Sequence, residues 1–417
     1  MHFIYLSLYS WHLFCQHASK AKGTPFGVPF AFGGASRILH SAPKCAIIKS
    51  EIRGKRIRSF CQLSLKIHEQ YGGRFMKKLL SFLLITLILC SVCFMSGCEL
   101  IDVFSDKVPT TYQNADQYTA GNTEFEGKVD TFNLWWIYGS VTVRTHKENT
   151  VKIEETANKA LDDTLRLHWH YYEAGEYGDV LDIQYSASGN FDYGDLNKDI
   201  TVYLPEKDGM DISLTIEAAS VDVDISQFEN TLDELSISTN SGKVSAKIDN
   251  AGEVRISGQT DEGVPEENRE FFFRANGTVY DLGISSSFAK VDAAAKSVRN
   301  GEVASVFADL IFAVEETKDL KLRNSRNKIY ATVLKFDSLD IETCYEPCKL
   351  TLSPDASFVL KIKEEDRFQY KMSPKSVSVE FEGVTQNGSQ YTVGTGEKII
   401  EVATDSDLRI LPLAEKD

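Results

Sequence analysis

Histidine and cysteine are scarce in this chain beyond its first hundred residues. Of 8 His and 8 Cys, His146, His168 and His170 and Cys98, Cys344 and Cys348 are those that follow residue 97. That leaves little material for a Ser-His-Asp nucleophile, for a four-ligand zinc site or for a disulfide framework. Phosphate loops are missing too. Gly394-Thr395-Gly396 lacks the third glycine of a dinucleotide loop, no helical pattern follows it, and it reads as a turn. The glycine-rich nonapeptide of calcium-binding β-rolls is also absent. Positive charge is the other shortage. The chain carries 45 Lys+Arg against 60 Asp+Glu, a net charge of −15. Residues 1–97 hold 13 of the basic and 2 of the acidic residues, so the remainder carries about −26. Such a balance argues against nucleic acid and against an anionic membrane surface as ligands.

What is present begins with a leader. Met76 is followed by Lys77 and Lys78, an apolar run over residues 79–95, and then Ser96, Gly97 and Cys98. A short basic segment, an apolar run and small residues before a cleavage point make a signal peptide over residues 76–97. Met95-Ser96-Gly97-Cys98 resembles the lipobox of bacterial lipoproteins. The resemblance implies that Cys98 takes a diacylglycerol and becomes the mature N-terminus, held on the extracytoplasmic face of a cell membrane by its acyl chains. An uncleaved span is the alternative, and the run is short for one. Residues 1–75 are basic and aperiodic, and read as an extension upstream of the true start, with a genuine N-terminal extension as the alternative. Residues 98–124 are polar, contain Pro109, and read as a flexible tether.

From residue 125 to 417 the pattern is that of β-strands. Val141-Thr142-Val143, Ile200-Thr201-Val202, Val221-Asp222-Val223 and Leu408-Arg409-Ile410 each alternate apolar and polar residues, burying one face and wetting the other. Residues 292–296 and 310–316 are the brief stretches with some helical character. A strand–turn–strand unit recurs at Leu235-Ser-Ile-Ser-Thr-Asn-Ser-Gly-Lys-Val244 and at Leu320-Lys-Leu-Arg-Asn-Ser-Arg-Asn-Lys-Ile329. Repetition of that kind favours an all-β solenoid of stacked coils, with a β-sandwich as the competing architecture.

Gly139-Ser-Val-Thr-Val143, Asp199-Ile-Thr-Val-Tyr-Leu-Pro205, Asn240-Ser-Gly-Lys-Val244 and the closing segment Ile399 to Ile410 together resemble an adhesin-type domain family of bacterial surface proteins, a domain without an assigned function. Lys243 and Asp407 depart from its usual Asp and Gly. The resemblance implies a β-solenoid-like surface module without catalytic residues, and treats residues 261–316 as an insertion.

Candidate site residues are few. Cys344 and Cys348, four apart in an exported chain, are expected to form a small disulfide. Trp135, Trp136 and Trp169, with Tyr177 and Tyr193 in two Tyr-Gly-Asp triplets, are candidates for an aromatic surface that binds a glycan or protein, although Trp135 and Trp136 capping the end of the core is the plainer reading. His168 and His170 share one face of a strand near Glu173, as metal ligands could, although a polar strand face explains them as well. Asp222 and Asp224 sit on a wet face and point to no glycosidic chemistry. The sequence therefore predicts a membrane-anchored, extracytoplasmic lipoprotein acting as a non-enzymatic binding or structural module, without cofactor, metal or nucleic acid. An accessory protein regulating a membrane sensor or transporter, and a polysaccharide-active enzyme, are the competing readings.

Overall fold

Partner residues in neighbouring strands recur every 19 positions. Val291 lies beside Leu310, Leu310 beside Ile329, and Ile329 beside Cys348. Further along the same strands Gly301 lies beside Leu320 and Leu320 beside Leu339. All these pairings are parallel. A chain that returns one strand spacing further on, about 4.8 Å, after each fixed stretch builds a solenoid. The computed structural model describes residues 108–414 apart from 128, 176–177, 207–211, 229–230, 241–242, 261–263 and 368–369. The signal peptide, Cys98 and the 1–75 extension lie outside the described residues. No α-helix occurs among the described residues, and no helix there is long and apolar enough to cross a membrane.

The regular middle consists of Glu270–Ser287, Lys290–Val306, Leu310–Ser325 and Ile329–Cys344. Each is a single strand with a bend. Its first arm joins one parallel ladder and its second arm another, with a break in register between Ala275 and Thr278 marking the corner. The first-arm ladder continues outward through Val244–Ile248, Ser220–Asp224 and Ser140–His146 on one side, and through Cys348–Leu352 and Asp407–Pro412 on the other. The second-arm ladder continues through Ala251–Gln259, Leu232–Thr239, Ile212–Glu217 and Thr131–Trp135, and through Lys398–Thr404. Both helix-tempting stretches are strand. Residues 270–316 are not an insertion: they are the most regular coils of the solenoid, whose long alternating strands fit the period better than the flanking segments do.

At both ends the order in space departs from the order in sequence. Thr131–Trp135 and Ser140–His146 form a coil that later strands cover, since Asp179–Gln184 and Lys198–Pro205 pair on its outer side, also in parallel. Lys398–Thr404 and Asp407–Pro412 slot between Ile329–Leu352 coils and the earlier Phe358–Ile362 and Ser376–Val379. Antiparallel strands then close the edges. Val151–Ala157 and His168–Glu173 do so at one end, and Gln390–Val393 at the other. Part of the expected tether belongs to this closure. Val108–Pro109 pairs with Asn190–Phe191, Thr119–Ala120 with His168 and Trp169, and Thr123–Phe125 with residues 151–153. These strands are too short to show periodicity, and backbone pairing to distant strands holds them.

The core is filled by stacked columns, one side chain per coil. Phe273, Ala293, Phe312 and Ala331 are consecutive partners, each at most 2% exposed. Large and small residues alternate along this column, so each ring occupies the space its alanine neighbours leave, which is how layers reach native packing density.

The turns between second and first arms carry a second column. Ser286, Ser305, Asn324 and Thr343 are stacked partners and nearly fully buried. Ser286 Oγ donates to the Ala289 carbonyl and Ser305 Oγ to the Ala308 carbonyl, both at 2.9 Å. Asn324 Nδ2 donates to the Lys328 carbonyl at 3.1 Å. Two residues after each, the backbone enters the left-handed region at Phe288, Phe307, Arg326 and Tyr345, with φ of 67°, 67°, 78° and 72°. Bulky side chains rarely adopt this conformation. Here the N–H of Phe288, Phe307 and Arg326 each donates to the carbonyl of Val306, Ser325 and Cys344 in the next coil, and the rings stack outside: Phe288 on Phe307 at 4.6 Å and 4°, with Arg326 over Phe307 at 4.8 Å.

Candidate functional site

Each bend between the arms puts two consecutive residues outward before the next inward one. The inward residues just past the bend, Val298, Thr317 and Phe336, are in register on successive coils and all nearly buried. On one side of this column stand Ser297, Glu316 and Lys335. On the other stand Tyr280, Arg299, Lys318 and Asp337, again one per coil. Between them runs a groove of about 830 Å³ along the solenoid axis. Beyond Phe336 it is lined by Ser353, Asp355, Ser357, Glu397 and Lys398.

The groove mixes apolar and polar lining and is balanced in charge. Arg299, Lys318, Lys335 and Lys398 face Glu316, Asp337, Asp355 and Glu397. Lys398 Nζ reaches Asp337 Oδ1 at 2.5 Å, and that contact raises the lysine pKa. Asp355 is held below the usual carboxylate range by the Ser353 hydroxyl first and the Lys335 charge last. Tyr280 is half exposed at one end, at 50%. Thr317 is 3% exposed in the floor, and its Oγ1 has no hydrogen-bond partner among the described residues. No histidine or cysteine lines the groove. What this arrangement can do is bind: it offers an aromatic platform and many donors and acceptors at one-coil intervals.

The sequence-predicted aromatic residues do not form one surface. Trp136 is buried, and its Nε1 donates to the Lys198 carbonyl at 2.7 Å. Tyr193 is buried with its hydroxyl 2.6 Å from Ser186 Oγ. Trp169 stacks on Phe125 at 5.7 Å, and its buried Nε1 lacks a partner among the described residues. Trp135 is 36% exposed, and Tyr177 lies outside the described residues. The physical reason is burial: around Lys198, indole and phenol rings line the end of the core and satisfy their polar atoms internally.

The histidine pair is not assembled as a metal site. The His170 ring packs between Tyr172 at 4.6 Å and Tyr118 at 5.2 Å, while His168 Nδ1 is 3.0 Å from the Arg166 carbonyl. Among the described residues no three His, Cys, Asp or Glu side chains gather as a metal group. Nearby, Asp182 accepts from Asn133, Tyr172 and Tyr118 at 2.8, 3.2 and 3.3 Å, and burial together with this carboxylate pushes the Tyr118 phenol up. Cys344 and Cys348 stand in the structure as thiols, not as a disulfide. Cys348 points into the core, beside Ile329 and Leu408, while Cys344 ends its strand on the partly exposed face. Burial pushes the Cys348 thiol up to about 12.

Sequence reasoning missed the groove residues. The signal was there: Tyr280, Arg299, Lys318 and Asp337 are spaced by the 19-residue period, so aligning the chain to that period brings them into one column.

No family model matches this chain, and no curated protein matches it. Among solved structures it is similar to the crystal structure of a candidate cell-adhesion protein from Clostridium sporogenes ATCC 15579, at 12% identity, over 70% of this chain and 100% of that chain, with a TM-score of 0.17. A likeness of that size carries no argument about function, and the site stands on its own geometry.

Proposed function

We propose that this chain is a lipid-anchored protein of the extracytoplasmic cell surface whose solenoid is a non-enzymatic binding module, with the corner groove as its ligand surface. The observation that carries the reading is the groove's extension along the coils: a polar or aromatic side chain stands at each coil, about every 4.8 Å along one axis, which suits an extended polymer better than a compact metabolite. Cys98, in its lipobox, supplies the anchor, and the acidic remainder of the chain keeps nucleic acid and anionic lipid headgroups away.

The test is in-cell photo-crosslinking of the full lipoprotein. A photoreactive residue replaces Ser297 in the groove or, as control, Lys321, exposed on a strand outside it. Capture at position 297 well above that at 321 is expected. Equal capture, or none at 297, would remove the groove as the ligand surface.

A further inference from the structure

We infer that the groove takes an uncharged polysaccharide; the inference rests on the groove being the ligand surface and names the ligand's chemistry. Three observations point the same way. The first is charge. The lining holds equal numbers of cationic and anionic side chains in a protein of net charge −15. A polyanion would meet the protein's overall field as well as Glu316, Asp355 and Glu397. A polycation would meet Arg299, Lys318 and Lys335 at the same spacing. A neutral chain meets neither repulsion.

The second is the kind of polar group on offer. Arg144, Arg255, Arg274, Arg323 and Arg409 are each ion-paired to a carboxylate. Arg299 in the groove has no ion pair or hydrogen bond among the described residues, and its guanidinium is left with a fork of donors. Ser297 and Thr278 stand across the floor from it. Neighbouring hydroxyls of a sugar are matched by such a fork on one side and by hydroxyls on the other.

The third is the pairing of Tyr280 with Thr317. Tyr280 presents a half-exposed ring one coil from Arg299, and the C–H face of a pyranose packs on a phenol ring at low entropic cost. Thr317 keeps a hydroxyl in the floor without a partner, although buried hydroxyls are almost always satisfied. Turned toward the groove, this buried hydroxyl would find that partner in a sugar hydroxyl. An acidic or basic peptide would use the charges but leave the ring and the floor hydroxyl without a role.

The experiment measures binding of the full chain, in detergent, to an immobilised panel: neutral β-glucan and mannan oligosaccharides, oligogalacturonate, polyglutamate and polylysine. Binding to at least one neutral glycan is expected, and it should change little between low and high salt because no ion pair is formed. Tyr280→Ala and Arg299→Ala should each weaken it by about ten-fold, whereas Tyr330→Ala, an exposed tyrosine on the first-arm ladder, should leave it unchanged. Both substitutions are at exposed positions, and an unaltered melting curve establishes that the variants fold. Preference for any of the charged polymers, binding that collapses with salt, or neutral-glycan binding indifferent to Tyr280 and Arg299 would overturn the inference, as would binding to none of the panel. If position 297 still captures a ligand in cells while no neutral glycan binds, the groove survives and the glycan assignment falls. If 297 captures nothing, both fall.

Discussion

Lys198 Nζ lies 2.7 Å from Glu155 Oε1, and the two side chains are 0% and 4% exposed. The same ammonium donates to the carbonyls of Leu165 and Tyr185 and sits 4.0 Å from the Tyr185 ring centroid and 5.0 Å from that of Trp136. One buried cation thus ties together the antiparallel strand Val151–Ala157, the loop before His168 and the outermost parallel strand, where the solenoid would otherwise end in an open edge.

Removing one partner of this pair leaves the other charged and buried. Glu155→Leu is expected to destabilise the protein by about 3–5 kcal/mol, while Glu155→Leu with Lys198→Met should recover much of that loss. Urea denaturation of the single and double variants checks it, and equal losses in both would show that the charge pair is not the issue.

Burial, opposed by the Glu155 charge, brings Lys198 down from 10.5 to about 8. Between about pH 8 and 10.5 the unfolded chain then holds a proton that the folded chain has released. Stability from this group therefore rises with pH across that window. The stability gap between the native protein and Lys198→Met should shift in favour of the native protein from pH 8 to pH 10; a flat gap would place the lysine at an ordinary pKa.

The alternating column Phe273, Ala293, Phe312, Ala331 makes opposite substitutions both damaging. Phe312→Ala should cost about 3–5 kcal/mol by opening a cavity. Ala293→Leu should cost about 1–3 kcal/mol by crowding Phe273 and Phe312. Thermal unfolding of both reads the outcome, and a tolerated Ala293→Leu would mean that the column is loosely filled.

Cys348 should resist alkylation in the native protein at neutral pH, since its thiol is buried and pushed up to about 12. After denaturation without reductant, both Cys344 and Cys348 should take up iodoacetamide, as mass spectrometry would show. Absence of label on both would establish a disulfide between them.

Cys98→Ala should release the protein from the membrane or leave its leader uncleaved, as fractionation and intact mass would show. A membrane-bound, normally processed variant would sink the lipid anchor.

Much of the strand content was legible because a half-buried strand writes its faces into the sequence with period two. The strand–turn–strand units at Leu235 and Leu320 are indeed halves of successive coils. Even the inward position of Lys198 could be read from parity with Ile200, Val202 and Leu204. Its partner could not be read, because Glu155 is far away in sequence. The turn conformations were not legible. Phe288, Phe307, Arg326 and Tyr345 occupy left-handed positions that Gly or Asn usually fills, because the buried polar column and the amide bonds to the next coil impose the backbone there.

The sequence by itself determined the acidic balance, the all-β character and the repeating unit, since each is a property of composition or of residues close together in the chain. Tertiary structure alone decided which coil lies beside which at the two ends, that Trp136 and Tyr193 are core and not surface, and that Tyr280, Arg299 and Thr317 meet in one groove. Those outcomes depend on hydrogen bonds and packing between residues far apart in sequence, where no local pattern records the partner.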